Sequence, residues 1–385
     1  MTPTPTPTPT APQPRSRRWR AALVLPLLLA LTACADNAPL DTLEPKGPEA
    51  RTIDHLVNPV FLIAGVVFVL VQGGVLFLAW RYRKRRGDDD SLPPQVHGNT
   101  KLELGWTFIP ALLLAGVGGA SVLTILDLDD TPPDAMEVTV IGQQWWWEYR
   151  YDVDQDGTDD IITANDLVIP IGTPVDLTIT SRDVIHSFWI PALNGKRDAV
   201  PGREHPLLIE ADEPGVYRGQ CTEFCGLSHG YMRMRVVALD EADYAAWQAN
   251  QLTAAKAPTT ELALAGRETF RTTCSQCHRV RGAEGNDDLF KGSATVSGSA
   301  PDLTHFASRG AFAGAIFDLW SDTDQSGEVD IDELGGAFNV ADLQAWLRDP
   351  PGQKPMYPQG SRGMPNLELS QVQIDQLVAY LETLE

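Results

Sequence analysis

The sequence predicts a multidomain membrane protein with a two-helix transmembrane hairpin, a β-sandwich or barrel, and an all-α domain at the C-terminus. Two apolar runs, residues 57–80 and 104–126, are long enough for the ~20 residues that cross a bilayer core. Further along, short segments alternate apolar with polar side chains, as at Val175, Leu177 and Ile179, and Gly and Pro separate them. This second pattern is typical of strands that pack one face on a core.

Charged residues beside the apolar runs predict how the hairpin is oriented. Residues 81–86 read Arg-Tyr-Arg-Lys-Arg-Arg, and three aspartates follow the second run. Because basic residues remain on the cytoplasmic side, the connecting loop is predicted there, with both ends of the chain outside. A buried hairpin of a soluble protein is the weaker alternative, since both runs are long and poor in charge.

Charge and cysteine content narrow the function. The chain has 51 acidic against 30 basic residues and a net charge of −21, which argues against nucleic-acid binding. Its 5 cysteines are an odd number for a disulfide framework, and four of them form two close pairs. We therefore expect the cysteines to serve separate chemistries.

Residues 1–33 predict an export signal. Arginines precede an apolar run, residues 21–31, that is too short to span a bilayer. Cys34 follows Leu-Thr-Ala, which resembles the lipobox of bacterial lipoproteins, so Cys34 is predicted to carry a lipid anchor after cleavage. An ordinary signal peptide with an incidental cysteine is the alternative.

A set of soft metal ligands lies within residues 221–232. It contains two thiols, an imidazole and a thioether: Cys221, Cys225, His229 and Met232. Such a set selects copper over hard cations. The spacing of the cysteines lets both sulfurs bridge two metals, and His186 is the best candidate for a second imidazole.

These residues resemble subunit II of cytochrome c oxidase, whose cupredoxin domain holds the binuclear copper centre CuA. The resemblance covers roughly residues 54–239. It implies that the side-chain ligands are His186, Cys221, Cys225, His229 and Met232, and that Glu223 binds copper through its backbone carbonyl. It also implies that the Glu223 carboxylate reaches a magnesium ion shared with the catalytic subunit.

The same resemblance assigns roles outside the ligand set. Residues 144–151 form the family's aromatic stretch, and its first tryptophan, Trp145, is implied to be the electron-entry residue. Packing is the alternative for these rings, above all for Trp147. The family more often has His where Gln143 stands. Glu103, just before the second apolar run, is implied to lie at the mouth of a proton pathway.

A c-type haem is predicted in the C-terminal domain. Cys274-Ser-Gln-Cys277-His278 is the C-x-x-C-H pattern of covalent haem attachment, with His278 as the proximal iron ligand. The distal ligand is expected to be a methionine. Met364 is favoured over Met356 because a proline follows it, which resembles the Met-Pro of small cytochromes c.

The chain is predicted to close on a helix that begins with a capping box of Ser370 and Gln373. Its predicted apolar face consists of Ile374, Leu377, Val378 and Leu381.

A copper domain followed by cytochrome c is the layout of caa-type oxidases. The resemblance therefore implies an electron-entry subunit of a proton-pumping cytochrome c oxidase. Electrons would pass from an external donor, such as a cytochrome c or a cytochrome bc complex, through haem c and CuA to the haem-copper subunit I, which reduces oxygen. Quinol oxidase relatives lack both metal motifs. A subunit of a copper-containing nitric oxide reductase and a calcium-responsive regulatory redox module are the alternatives.

An acidic insert at residues 322–333 matches the spacing of the twelve-residue EF-hand loop. Its candidate calcium ligands are Asp322, Asp324, Ser326, Glu328, Asp330 and Glu333. A solvated acidic loop is the alternative. Gly335 and Gly336 make a poor helix start, so a complete hand is not expected.

The predicted domain limits follow from these patterns. They are a lipoprotein-type signal at 1–33, an extracytoplasmic segment at 34–54, the transmembrane hairpin at 55–130, a cupredoxin-like CuA domain at 136–240, a linker at 241–262, and an all-α cytochrome c domain at 263–385 that contains the acidic insert.

Overall fold

The computed structural model of the protein describes most of the chain after the predicted signal. The described residues are 39–84, 97–281, 300–326, 328–357 and 362–385. The predicted signal and lipid anchor at Cys34, the end of the basic cluster and Gly327 of the acidic insert lie outside these ranges.

Two long helices account for the apolar runs. Helix α1 is Pro48–Arg81 and helix α2 is Thr100–Leu128, and each is long and apolar enough to cross a membrane. α1 begins before the predicted hairpin does, because Pro48 fits the first turn of a helix, and the helix continues through Pro59. Asn99 caps α2 by accepting hydrogen bonds from two backbone amides of the first turn.

The middle of the chain folds into a sandwich of two β-sheets. Its strands are β1 Met136–Gln143, β2 Trp146–Tyr151, β3 Ile161–Ala164, β4 Asp166–Pro170, β5 Val175–Ser181, β6 His186–Trp189, β7 Lys196–Ala199, β8 His205–Ile209, β9 Gly215–Gln220 and β10 Arg233–Leu239. One sheet has the order β3-β2-β1-β5-β8 and the other β4-β10-β9, while β6 and β7 pair with each other. β1 runs parallel to β5, and β4 runs parallel to β10.

The core of this sandwich lies between the two sheets. Val175, Leu177 and Ile179 of β5 are fully buried, and the residues between them are partly exposed, which confirms the predicted alternation. Leu167 of β4 and Val236 of β10 belong to the same cluster of buried side chains from the opposite sheet. The cluster also contains the two cysteines of the predicted copper set, so that set is built into the core.

The segment predicted as a linker begins with helix α3, Glu241–Gln251. Asp240 caps it, and its Tyr244 belongs to a buried cluster with two valines of the copper domain. Trp247 lies one turn further, with its ring 5.4 Å from that of Tyr151. Two aromatic residues at helical spacing thus fasten this part of the chain to the copper domain.

The C-terminal domain is mainly helical. Its elements are α4 Glu261–Thr269, a π-helical turn Phe270–Cys274, a 3₁₀ turn Phe306–Ser308, β11 Ala311–Phe312, β12 Phe317–Asp318, a 3₁₀ turn Ile331–Glu333, α5 Val340–Arg348, α6 Pro350–Gln353 and α7 Gln371–Leu381. The capping box of α7 is present, and its predicted apolar face is buried. The short pair β11–β12 was not predicted, because each strand has only two residues.

A buried ion-pair cluster joins the copper domain to the C-terminal domain. Arg235 of β10 donates to Asp166 of β4 at 2.9 Å and to Asp318 of β12 at 2.6 Å. Asp166 also accepts hydrogen bonds from the backbone amides of Gly310 and Ala311. Asp166 of the copper domain therefore binds both Arg235 beside it and the backbone of the C-terminal domain.

We expect Arg235→Met to lower the free energy of unfolding of the full chain by ~3 kcal/mol, because removing one partner of a buried pair leaves Asp166 charged and less well compensated. Denaturant unfolding measures the change. Arg233→Met is the matched control, since the Arg233 side chain is exposed on the same strand. Equal stability of the two variants would mean that the ion pair does not hold the domains.

Candidate metal centre and haem cavity

The predicted copper ligands lie on the connection between β9 and β10. These strands are antiparallel, with Gln220 opposite Arg233, and the amide of Cys221 donates to the carbonyl of Met232 at 3.0 Å. This pairing brings the first and last residues of the predicted set to the same end of the sheet. The short turn His229–Tyr231 then folds the imidazole of His229 back toward the cysteines.

Sulfur and nitrogen atoms of this loop converge. The sulfurs of Cys221 and Cys225 lie 3.8 Å apart. The sulfur of Cys225 is 3.5 Å from Nδ1 of His229 and 3.8 Å from the sulfur of Met232. The backbone carbonyl of Glu223 is 3.4 Å from the sulfur of Cys221, while the Glu223 side chain is exposed.

His186 joins this group from β6. One nitrogen of its ring lies within 4.8 Å of both cysteine sulfurs. Its Nε2 donates to Asp183 at 2.9 Å, whereas its buried Nδ1 makes no hydrogen bond with any described residue. Burial alone would raise the pKa of Asp183, but hydrogen bonds from His186 and from the amides of Gln144 and Val184 outweigh it and lower the pKa. An ionised Asp183 fixes the ring so that Nδ1 remains available to a metal.

The geometry of the two thiols fits a metal rather than a disulfide. Their 3.8 Å separation is nearly twice the ~2.05 Å of a sulfur–sulfur bond. The hydrogen bond between the two sulfurs lowers the pKa of Cys221. A thiolate, a second thiol, two imidazoles and a thioether form a donor set that suits copper.

Trp145 lies directly behind the copper loop. It is 2% exposed, and its indole nitrogen donates to the carbonyl of Cys225 at 3.1 Å. The side chain of Gln144 donates to the same carbonyl at 2.6 Å. The residue implied to be the electron entry is therefore hydrogen-bonded to a predicted copper ligand.

The C-terminal domain contains a cavity of about 310 Å³. Cys274, Cys277, His278 and Met364 all line it. Apolar side chains make up much of the remaining wall: Phe270, Phe306, Phe312, Leu343, Leu347, Leu377 and Leu381. Gln144 and Trp145 of the copper domain line it as well, so the cavity extends to the side chains behind the copper loop.

The two predicted axial residues are placed consistently with the cavity. His278 donates from Nδ1 to the carbonyl of Pro301 at 2.9 Å, which leaves Nε2 for iron. Burial lowers the pKa of His278 and favours the neutral ring that binds a metal. Met364 belongs to the wall, whereas Met356 packs against the core of the copper domain.

A buried arginine provides an independent test that the cavity suits a haem. Arg309 is 6% exposed and lines the cavity, and its Nε has no hydrogen-bond partner among the described residues. Another nitrogen of its guanidinium donates to the carbonyl of Asp302. A haem carries anionic propionates, and one of them would supply an acceptor for Nε.

Several residues at this site were not predicted from the sequence. Asp183 precedes His186 by three residues, and an acid near a metal-binding His is the signal that could have found it. Arg309, Lys354 and Arg362 have no such local signal. The last of these, two residues before Met364, pairs with Asp183 at 3.5 Å.

Glu103 belongs neither to the group of predicted copper ligands nor to the residues that line the haem cavity. It lies in the first turn of α2, and its carboxylate accepts a hydrogen bond from the amide of Asn99 at 3.0 Å. This contact completes the helix cap at the edge of the hairpin.

The acidic insert folds as a compact loop. Carboxylate oxygens of Asp322, Asp324 and Glu333 lie within 4.8 Å of one another. The hydroxyl of Ser326 donates to the carbonyl of Glu328 at 2.8 Å. Asp330 caps the turn that contains Glu333. Three of the predicted calcium ligands thus lie together, whereas the Glu328 side chain pairs with an arginine of the copper domain.

Fold and site together define a membrane-anchored protein with a cupredoxin-like domain and a c-type cytochrome domain. Family models agree with this class. Residues 42–123 match the transmembrane domain of cytochrome c oxidase subunit II, residues 152–239 match its periplasmic domain, and residues 263–385 match cytochrome c. The chain belongs to the cytochrome c oxidase subunit II family and carries a fused cytochrome c domain.

Curated relatives show the same relationship. Cytochrome c oxidase subunit 2 of Alkalihalophilus pseudofirmus is 33% identical over 93% of this chain and 95% of its own length. That of Bacillus sp. strain PS3 is 32% identical over 79% of this chain and 80% of its own. Quinol oxidase subunit 2 of Bacillus spizizenii is 33% identical, but over 58% of this chain and 70% of its own.

Family membership fixes the main cofactors and the setting. The periplasmic domain implies CuA copper and the cytochrome domain implies haem. The chain is anchored in the membrane and works with subunit I of a haem-copper oxidase. The predicted family, fold class and overall function are thereby confirmed.

Proposed function

We propose that this chain carries electrons from its own cytochrome c domain through Trp145 to the copper loop, and from there to subunit I. One observation supports this route above the others. Trp145 forms part of the haem cavity wall and donates to the carbonyl of Cys225. A single buried side chain thus touches both redox sites.

The positions of several side chains support their assignment as ligands. His186, Cys221, Cys225, His229 and Met232 would bind copper, and Glu223 would bind through its carbonyl. Cys274 and Cys277 would attach haem, and His278 and Met364 would bind its iron. When bound, these groups supply sites that accept and release one electron at a time; the chain holds them in place and keeps water away.

The surface around the copper loop suits subunit I. Phe224 is 75% exposed, Leu227 is 50% exposed and Ile185 is 44% exposed. Apolar side chains left in water beside a redox site mark a face that another protein covers. The exposed carboxylate of Glu223 stands on this face, where a magnesium ion shared with subunit I would bind it.

The remaining assignments concern the membrane. The basic residues after α1 support a cytoplasmic connecting loop, with the metal domains on the opposite side and a lipid on Cys34. Glu103, at the same edge as that loop, marks a proton entry. A cytochrome c or a cytochrome bc complex is the external donor, since both metal motifs are present, which disfavours quinol as the direct donor.

We expect Trp145→Phe to slow electron transfer from haem c to copper by at least about tenfold, which corresponds to ~1.4 kcal/mol of activation free energy. The smaller ring loses its hydrogen bond to Cys225. Rapid reduction of the full chain, followed at both chromophores, measures the rate. Trp247→Phe is the matched control, because Trp247 lies in α3 against Tyr151 and does not line the haem cavity. In a separate test of the copper ligands, Cys225→Ser should abolish the mixed-valence copper signal. A wild-type rate in Trp145→Phe would leave this residue a packing role only.

Met364→Leu should remove the sulfur-to-iron charge-transfer band and lower the haem potential, because a thioether ligand favours ferrous iron. Absorption spectra and redox titration of the full chain measure both changes. Met356→Leu is the control, since Met356 packs on the copper domain. Loss of the band in Met356→Leu alone would reverse the assignment.

The acidic insert is proposed as a structural calcium site. Hydrogen bonds from Thr323 lower the pKa of Glu333 to about 2, so this carboxylate is ionised at neutral pH. Its neighbours Asp322 and Asp324 face it within the loop. Oxygen ligands of this number and charge suit calcium, and an extracellular site needs a Kd of only ~10⁻⁴–10⁻³ M. A site near saturation stabilises the fold and cannot report a change in calcium.

Calcium at about ten times its Kd should stabilise the full chain by ~1.4 kcal/mol. Thermal unfolding with and without chelator measures this, and calorimetric titration gives the Kd. Glu333→Gln should lose the effect, because it removes the bidentate ligand. Asp332→Asn is the matched control, since it lies beside Glu333 outside the ligand positions. Identical melting of the wild type with calcium and with chelator would reduce the insert to a charged surface loop.

A further inference from the structure

A short segment of the cytochrome c domain reaches across to the copper site. Residues 354–357, Lys-Pro-Met-Tyr, follow α6 and precede the loop that carries Met364. All four contact the copper domain. Lys354 does so through its ammonium and Pro355 through its carbonyl, while Met356 and Tyr357 pack their side chains on the core. We call this segment the clasp. None of its contacts follows from the ligand motifs.

Lys354 makes the central contact of the clasp. It is 9% exposed, and its ammonium donates to the carbonyl of Trp145 in the copper domain and, at 2.8 Å, to that of Ala313 in the cytochrome c domain. It also lines the haem cavity. A buried ammonium is costly unless its hydrogen bonds are made. Burial lowers its pKa to about 7, so the charged form is favoured below that pH.

The other clasp residues surround Trp145 and the copper loop. The ring of Tyr357 lies 5.4 Å from that of Trp145. The hydroxyl of Ser228, which stands between Cys225 and His229, donates to the carbonyl of Pro355. Met356 packs against the copper-domain core. The electron-entry residue is therefore enclosed by the partner domain of its own chain.

We propose that the clasp, residues 354–357, positions the haem cavity against Trp145, with Lys354 as the positioning residue that joins the two domains at the point of electron transfer. This rests on the proposed route through Trp145. With both groups bound, the transfer would oxidise the haem by one electron and reduce the copper centre by one electron. No bond is made or broken and no proton moves.

Lys354→Met tests the proposal in the full chain loaded with haem and copper. The variant keeps the apolar stem and removes both hydrogen bonds. Losing one hydrogen bond to a charged group shifts a docking equilibrium by about tenfold. We therefore expect the haem-to-copper rate to fall by about tenfold or more, with both spectra unchanged. At pH 6 the haem and copper potentials of Lys354→Met should also be lower than those of the wild type. The variant lacks the positive charge of Lys354, which favours the reduced state of both groups.

Amide hydrogen exchange gives a readout that does not depend on electron transfer. Exchange at residues 144–146 and in the clasp should become faster in Lys354→Met. Lys256→Met is the matched control, because the Lys256 side chain is 64% exposed and pairs with Glu385 away from the clasp. It should match the wild type in rate, potentials and exchange.

The outcomes separate this proposal from the proposed route. A slow rate in both Trp145→Phe and Lys354→Met, with faster exchange in the latter, supports both. A slow Trp145→Phe with wild-type rate, potentials and exchange in Lys354→Met overturns the clasp alone. A wild-type rate in Trp145→Phe overturns the route, and the clasp as positioned for it. If Lys354→Met fails to retain its cofactors, Tyr357→Leu decides: wild-type rate and exchange in that variant overturn the clasp, and a slower rate with faster exchange supports it.

Discussion

The fixed contact between the two redox domains depends on one buried guanidinium. Arg235 is 2% exposed and is compensated by Asp166 from its own domain and Asp318 from the other. A cation removed from water is stable only where carboxylates stay against it. Separation of the domains would remove one of these partners and expose the amides that Asp166 binds. The pair therefore favours the docked arrangement over a tethered but mobile one.

The contact between the two domains fixes the position of the haem cavity relative to Trp145. A freely moving cytochrome would have to find the copper domain again for each electron. Here the haem cavity, the indole ring and the copper loop lie in contact within one packed structure. Preorganised positions remove the cost of orienting the partners at the moment of reaction. The ionised Asp183 adds to this, since it contacts His186 on the copper side and Arg362 on the haem side.

The acidic insert is attached to the same interface. Glu328 pairs with Arg218 of the copper domain at 2.8 Å, and Arg218 also donates to the carbonyl of Val329. A cation bound by the insert would therefore stiffen a segment that already touches the copper domain. The charge of the loop is therefore linked to the contact between the two domains.

Much of this protein is determined by short stretches of its sequence. The cysteine and histidine spacings, the two apolar runs and the capping box of α7 act over a few residues or one helix, so they identify the domains and their metals without the fold. The helix after residue 240 was not predicted from the sequence. It is held by Tyr244 and Trp247, whose contacts depend on the surface of the copper domain. Only the tertiary structure decided the contacts of Asp183, Arg235 and Lys354. Each is an ordinary charged residue in the sequence, and each meets a partner far along the chain: Arg362, Asp318 and Trp145.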